Sequence, residues 1–339
     1  MAHFASTLKA TASARPSALQ KWAEQVGADA SQRIARARTL RTLRPEADDL
    51  LLADCIGPVP LHKTLVLREA IEKATPESLR PYGLLALAKT AVETASNLHF
   101  GPEVGVRGRK LDAPVVEAWL RNVNQMAGHL RLTKSNTLLP ATVLRADARE
   151  IASLIPAATI DAVFTSPPYP NEKDYTRTTR LESVLLGFLN SKVDLRELKQ
   201  SLIRSNTRNV YKADDDCSLV ASNERINKIA GAIEKRRLVL GKTSGFEKLY
   251  ARVTKLYFGG MARHLEAIKS ALRPGAHLGY VVGDQASYLQ VHIPTGTILA
   301  EIASDMGYRH VRTDLFRTRI ATATRQQMRE EVVVLRWES

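Results

Sequence analysis

A strand-like run, Asp161–Phe164, passes through Thr165-Ser166 directly into Pro167-Pro168-Tyr169. Two successive prolines remove two backbone donors and disfavour continuing either a sheet ladder or a helix. The pattern predicts a buried strand over Ala162–Thr165 that stops abruptly at its carboxyl end, leaving carbonyls free to point into a cleft. A chain built around such a strand needs further strands beside it and helices to cover them.

The surrounding sequence meets that requirement on one side only. Before Thr142 the chain reads as helix and loop. Helices are expected around Ser17–Val26 and Ala28–Arg44, at about His62–Ala74, from Pro81 to about Ser96, and at Ala113–Leu130. From Thr142 onward strand-like runs alternate with helical segments, the signature of an α/β layer. Strands are expected at Thr142–Ala146, Ala162–Thr165, Leu278–Val282, His310–Leu315 and Glu331–Trp337, with mostly helix from about Thr178 to Lys269. The expected organisation is a basic helical extension over 1–60, a helical region over 61–130 and an α/β domain over 131–339.

Composition narrows the partners. The 339 residues carry a formal net charge of +14, and a strongly basic surface attracts polyanions. Residues 1–45 hold eight Lys or Arg against Glu24 and Asp29, superficially like an organelle transit peptide, but nothing else points to an organelle. Cys55 and Cys217 are far apart and have no metal-ligand spacing, so neither a disulfide nor a zinc site is expected. No apolar stretch approaches the roughly 20 residues that span a bilayer, and a cytoplasmic location is expected.

The chemistry that suits the Pro-Pro stop is recognition of an amine. A carbonyl and a side-chain oxygen placed together accept both hydrogens of an exocyclic amino group on cytosine or adenine. The lone pair of that nitrogen is otherwise delocalised into the ring and only weakly nucleophilic. Holding both hydrogens favours a pyramidal nitrogen, and an aligned alkyl donor completes a displacement driven by positioning and electrostatics. The ring of Tyr169 is then suited to stack on a base taken out of its helix.

Thr165-Ser166-Pro167-Pro168-Tyr169 resembles the motif of amino-methylating DNA methyltransferases, which share a Rossmann-like class I sheet and use S-adenosylmethionine. The resemblance implies a catalytic role for Ser166, Pro167, Pro168 and Tyr169, and cofactor contact for Asp147, Ala148 and Thr165. A helix N-cap is the alternative for Asp147. The Ser version is closer to the N4-cytosine enzymes, since the N6-adenine enzymes usually carry Asp or Asn at the position of Ser166. Asn171, Lys173, Tyr175, Arg177 and Arg180 are candidate DNA contacts, with Arg204, Arg208 and Lys212 as further phosphate contacts and Arg317, Arg319 and Arg325 as a second group. Gly283-Asp284-Gln285 is a candidate border of the pocket. Tyr257-Phe258-Gly259-Gly260-Met261 reads either as a close backbone approach to a ligand or as a helix interruption.

One part of the family pattern is missing: a glycine-rich loop of the Phe-x-Gly-x-Gly kind after an opening strand. Leu51–Pro58 has a single glycine, and Phe100–Gly105 follows a helix where a strand is needed. The strands from Thr142 onward correspond to the later part of the family sheet. A half-sheet exposes an unpaired edge and an apolar face. The economical expectation is a split enzyme of restriction-modification or similar self-marking, with DNA as substrate and a second subunit carrying the glycine-rich loop. The alternatives are a non-catalytic nucleic-acid-binding module of the same fold and an RNA methyltransferase.

Overall fold

A computed structural model describes residues 1–101, 103–133, 141–321 and 325–339. They divide into two compact units, Met1–Arg145 with Tyr175–Glu197 and Ala146–Asp174 with Leu198–Ser339. No helix among the described residues is long and apolar enough to cross a membrane.

The first unit is helical. It contains α1 (Ala2–Ala10), α2 (Pro16–Arg36), α3 (Pro45–Asp48), α4 (Pro58–Lys73), α5 (Arg80–Thr90), α6 (Val115–Thr133), α7 (Tyr175–Thr178) and α8 (Arg180–Leu185), while α9 (Lys192–Gln200) runs across the division. Prolines stand in the first turns of α2, α4 and α5, where a missing donor costs nothing. Leu19, Trp22, Ala23, Val26 and Ala30 recur on one face of α2 and are all buried, the periodicity of a core-facing helix. The two helices expected over 17–44 are one, and it ends at Arg36. Gly27 lies within α2 against the Leu120 side chain, so it serves close packing and does not break the helix. Trp22 and Trp119 meet at 6.1 Å between ring centroids, and Trp119 Nε1 donates to the Gly83 carbonyl at 2.8 Å. A short antiparallel hairpin of β1 (Leu98–Phe100) and β2 (Val104–Val106), unforeseen in the sequence, completes this unit.

The second unit is α/β. Its sheet has four strands, β3 (Ile160–Thr165), β4 (Leu272–Gly283), β5 (Arg309–Ile320) and β6 (Gln327–Arg336), in the order β3-β4-β6-β5. β3 runs parallel to β4, and the other pairings are antiparallel. The strand expected over Thr142–Ala146 does not form. That segment is irregular and, apart from half-buried Val143, exposed, so it has no buried face to offset the entropy of extension.

Helices α10 (Glu224–Val239), α11 (Tyr250–Ile268) and α12 (Thr295–Asp305) complete the unit. Leu278, Tyr280, Val282, Val333 and Leu335 lie on one sheet face and join a core with Tyr257, Phe258, Leu265, Ile298 and Ile302 of α11 and α12. α11 runs unbroken through Tyr257–Met261. A side chain at Gly259 would come within 1.9 Å of the Asp216 carbonyl, so this glycine admits a neighbouring backbone segment, while Gly260 packs against the Ile203 side chain. They do not interrupt the helix.

The opposite sheet face is different. Strand alternation and register put Ala162, Phe164, His277, Gly279, Val281, Val332 and Val334 on it. Val281, Val332 and Val334 are half-buried, while Ala162 and His277 are exposed. Phe164, at 78% exposure, lies across Gly279, where an added side chain would approach its ring to 2.9 Å. β3 is also an edge strand, paired among the described residues with β4 alone.

Candidate functional site

The Pro-Pro stop forms where the sequence predicts it. β3 ends at Thr165, which lies opposite Tyr280 of β4, and Ser166 follows in an exposed position with Pro167, Pro168 and Tyr169 half-buried. The motif therefore lies at the carboxyl ends of two parallel strands, where α/β sheets form ligand crevices. Tyr169 reaches the end of β4: a side chain at Gly283 would come within 3.3 Å of both its ring and Glu330. Gly283 is thus the small residue that lets an aromatic ring lie on the strand end, and the sequence had marked it only as a border.

Charged groups from β5 and β6 gather beside that ring. Glu330, 6% exposed, pairs with Arg317 and with Arg319, and Arg319 Nη2 donates to the Asp284 carbonyl at 2.8 Å. The hydrogen bond to Glu330 raises Arg317 above its ordinary range, and the nearby Tyr169 adds to the effect. Asp284 Oδ2 faces His292 Nε2 at 3.1 Å. Glu330 carried no signal in the sequence, since it opposes Arg317 only through the register of β5 on β6.

The residues after the motif are tied down by a distant stretch. Asn171 N donates to the carbonyls of Tyr169 at 2.8 Å and Ser205 at 2.9 Å, and Lys173 N donates to Asn171 Oδ1 at 2.9 Å. Glu172 accepts from Thr207 N at 3.3 Å and Thr207 Oγ1 at 2.8 Å. The Ser205 carbonyl also accepts from Tyr288 OH at 2.8 Å, and Tyr288 stacks on Tyr250 at 4.8 Å. The segment leaving the motif is thereby held in one path, and the Lys173 side chain stays exposed.

Asp147 and Ala148 lie on the covered side of the sheet. His264 Nδ1 donates to the Ala148 carbonyl at 2.8 Å, and its Nε2 meets Tyr280 OH at 2.9 Å. Burial pushes the His264 imidazole below its ordinary range, against the opposing influence of that carbonyl and the Asp147 charge. Asp147 precedes a turn, not a helix, and Arg149 takes its acceptor sites through the backbone N at 2.9 Å, Nε at 3.0 Å and Nη2 at 2.6 Å. Arg149 Nη1 continues to Asp216 at 2.7 Å, and Arg263 pairs with the same carboxylate at 2.8 Å. Burial works against the Arg149 charge, yet its hydrogen bonds to the Asp147 and Asp216 carboxylates hold its pKa above the usual range.

The candidate nucleic-acid contacts divide. Asn171 and Lys173 belong to the unit that carries the motif; Tyr175, Arg177 and Arg180 belong to the helical unit. There Arg177 meets Glu103 at 3.5 Å, and Arg180 donates to the Thr176 hydroxyl at 2.7 Å and the Leu50 carbonyl at 3.3 Å. Arg204 is not a phosphate contact. It is 3% exposed, pairs with both oxygens of Asp214, and donates to the carbonyls of Lys199 and Gln200. Arg208 lies over the exposed ring of Phe246 at 5.8 Å.

Neither stretch weighed as a glycine-rich loop follows a parallel strand. Gly57 precedes α4 and lies where a side chain would meet the Lys110 carbonyl at 2.4 Å. Phe100–Gly105 belongs to the β1–β2 hairpin, with Pro102 outside the described residues. The residues of this chain do not by themselves fit S-adenosylmethionine: no glycine turn stands beside Ser166 among the described residues, and the Asp147 carboxylate is engaged by Arg149.

No protein-family model matches the chain, and no solved structure does. Curated relatives do exist. The chain is 28% identical over 202 residues to the Type II methyltransferase M.BsoBI of Geobacillus stearothermophilus, a match covering 52% of this chain and 37% of the relative. It is 29% identical over 153 residues to the Type II methyltransferase M.AvaI of Nostoc sp. and to that of Anabaena variabilis, covering 44% of this chain and 30% of each relative. The chain thus spans about a third of the length of the curated relatives it matches, and over the matched part its similarity is to methyltransferases.

Proposed function

We propose that this chain is the amine-gripping subunit of a DNA amino-methyltransferase of the restriction-modification kind, with cytosine N4 as the favoured acceptor and adenine N6 as the alternative. The observation that carries the reading is an exposed Ser166 at the carboxyl end of β3, beside a tyrosine whose ring lies on the neighbouring strand end at Gly283. The similarity to Type II methyltransferases supports the same reaction class.

In this reading Ser166 Oγ and a carbonyl of the Pro-Pro turn accept the two hydrogens of the target amine, so that its nitrogen presents a lone pair. The prolines hold those acceptors in one geometry, because neither can be drawn into a ladder or helix. Tyr169 stacks on the extruded base, and Gly283 leaves room for that ring. Asn171 and Lys173 face the flanking strand on a segment fixed by Ser205 and Thr207. S-adenosylmethionine is the methyl donor, and a second polypeptide brings the glycine-rich loop that this chain lacks. Ala148 and Thr165 are the proposed contacts from this side, whereas the Asp147 carboxylate is taken up by Arg149; Tyr175, Arg177 and Arg180 are the proposed contacts to DNA from the helical unit.

Tritiated methyl transfer to duplex DNA by the assembled subunits, followed by nucleoside mass spectrometry, tests the reading. The expected product is N4-methylcytosine. Ser166→Ala is expected to lower kcat by about 10² to 10³, the usual effect of removing one preorganised hydrogen-bond partner. Full activity in Ser166→Ala and Tyr169→Ala would reject the assignment.

A further inference from the structure

Helix α10 ends in a way that its own packing does not explain. Ile226, Ala230 and Ile233 recur at helical spacing and are buried, so the next position on that face is Arg237. The apolar run Leu238-Val239-Leu240 then follows as successive residues, which point round the helix axis and cannot share one buried face. They are 63%, 78% and 48% exposed, and Gly241, at φ +61°, turns the chain immediately after them. Phe246, also exposed, lies on the same connection to α11. Single exposed apolar residues are ordinary, but a contiguous run of large ones marks a surface that meets something.

This connection is held in shape and is strongly basic. Arg237 Nη1 donates to the Lys242 carbonyl at 2.7 Å, Lys242 N donates to the Arg237 carbonyl at 3.0 Å, and Ser244 Oγ donates to Glu247 at 2.8 Å. Residues 234–248 carry five Lys or Arg against Glu234 and Glu247, and both carboxylates are paired, with Arg237 at 2.6 Å and with Lys242 at 3.5 Å. Lys235, Arg236 and Lys248 are exposed among the apolar residues. Apolar side chains flanked by cations suit a polyanion with an apolar interior, which describes the stacked bases of a duplex.

The connection also lies on the motif's side of the unit. α11 starts at Tyr250, whose ring stacks on Tyr288, and Tyr288 OH donates to the Ser205 carbonyl that also accepts from Asn171 N just beyond the motif. Arg208, on the same segment as Ser205, lies over the Phe246 ring at 5.8 Å.

We propose that Leu238–Leu240 and Phe246 form an apolar wedge that enters duplex DNA beside the extruded base, with Lys235, Arg236 and Lys248 on the flanking phosphates. The proposal rests on the amine-gripping reading and says how that site keeps its base out of the helix. Extrusion leaves a gap in the stack, and an apolar side chain in that gap offsets part of the unstacking cost and blocks the base's return.

Fluorescence anisotropy with the full chain at about 50 mM salt tests this on two duplexes that differ only in a central abasic site, where the gap is already open. The abasic duplex is expected to bind about tenfold tighter or more, the scale of one stacking contact. The double variant Val239→Ser, Phe246→Ala is expected to bind both duplexes equally, with the intact duplex bound as by the original chain and the circular dichroism unchanged, because both residues are exposed. Lys235→Gln with Lys248→Gln should weaken both duplexes alike and lower the log–log salt slope by about 1.8, two phosphates at about 0.9 each. No binding to either duplex, equal binding of the two by the original chain, or a preference that the double variant retains would each overturn the wedge. A co-expressed polypeptide that buries these residues while DNA affinity stays as before would overturn it too, since the patch is then a protein interface. Wedge behaviour as described, with no methyl transfer to DNA by the assembled subunits, would instead reject the proposed function and leave the wedge standing.

Discussion

Single residues decide whether this molecule can present its motif at all. Ser166 and Tyr169 are legible in the sequence because the prolines between them dictate the backbone, and the structure puts the serine in the open and the ring on Gly283. Replacing Gly283 by valine is expected to displace Tyr169 and reduce transfer at least tenfold in assembled enzyme, with the fold retained by circular dichroism. His264 links Ala148 to Tyr280 on the strand opposite Thr165, and burial keeps its pKa low. A base with a depressed folded pKa binds fewer protons folded than unfolded, so its contribution is complete above about pH 6.5 and is lost as pH falls below that value. The melting temperature should therefore drop on acidification through that window, and His264→Gln should flatten this part of the profile. Arg149 is a half-buried hub between Asp147 and Asp216, and Arg149→Met leaves both carboxylates without it. Chemical denaturation should register a loss on the order of 3 to 5 kcal/mol.

At the scale of elements, α11 and β3 show how far local pattern reaches. The glycines of α11 look in the sequence like a helix interruption or a ligand approach; the helix is unbroken, and what lies against Gly259 is the backbone of Asp216, a partner distant in sequence. Gly259→Ala puts a methyl where the Asp216 carbonyl lies, and urea unfolding should show a loss of about 1 to 3 kcal/mol or more, the range seen when a packed interior is overfilled. β3 was expected as a buried strand from its apolar run and its Pro-Pro stop; it forms, but as an edge strand with Ala162 and Phe164 exposed, because only β4 lies beside it among the described residues. The run at Thr142–Ala146 looked equally strand-like and does not form, because a strand needs a neighbour and a buried face as well as composition. The hairpin β1–β2 had no alternating pattern to announce it.

Across the whole molecule, the sequence reads as passing from helices to an α/β layer near Thr142, with the domain boundary expected at 130–131, and one division between the two compact units lies at Arg145. It did not show that residues 175–197 belong with the helical unit, because membership is settled by packing and not by position in the chain. The net charge of +14 acts at this scale too. Binding of the assembled protein to duplex DNA should weaken at least tenfold between 50 and 200 mM salt, with a log–log slope near −0.9 per neutralised phosphate, measured by fluorescence anisotropy. A salt-independent affinity would place the basic surface outside the DNA interface.

What could be read from residues in a row was whatever neighbouring backbone and side-chain chemistry dictate: a strand, its stop at two prolines, a serine at that stop and an aromatic ring next to it. Which groups stand around that ring was settled only by folding. Gly283 and Glu330 reach Tyr169 because β4 lies beside β3 and β6 beside β4. Strand pairing between segments more than a hundred positions apart depends on the burial of a shared face, and no local pattern encodes it.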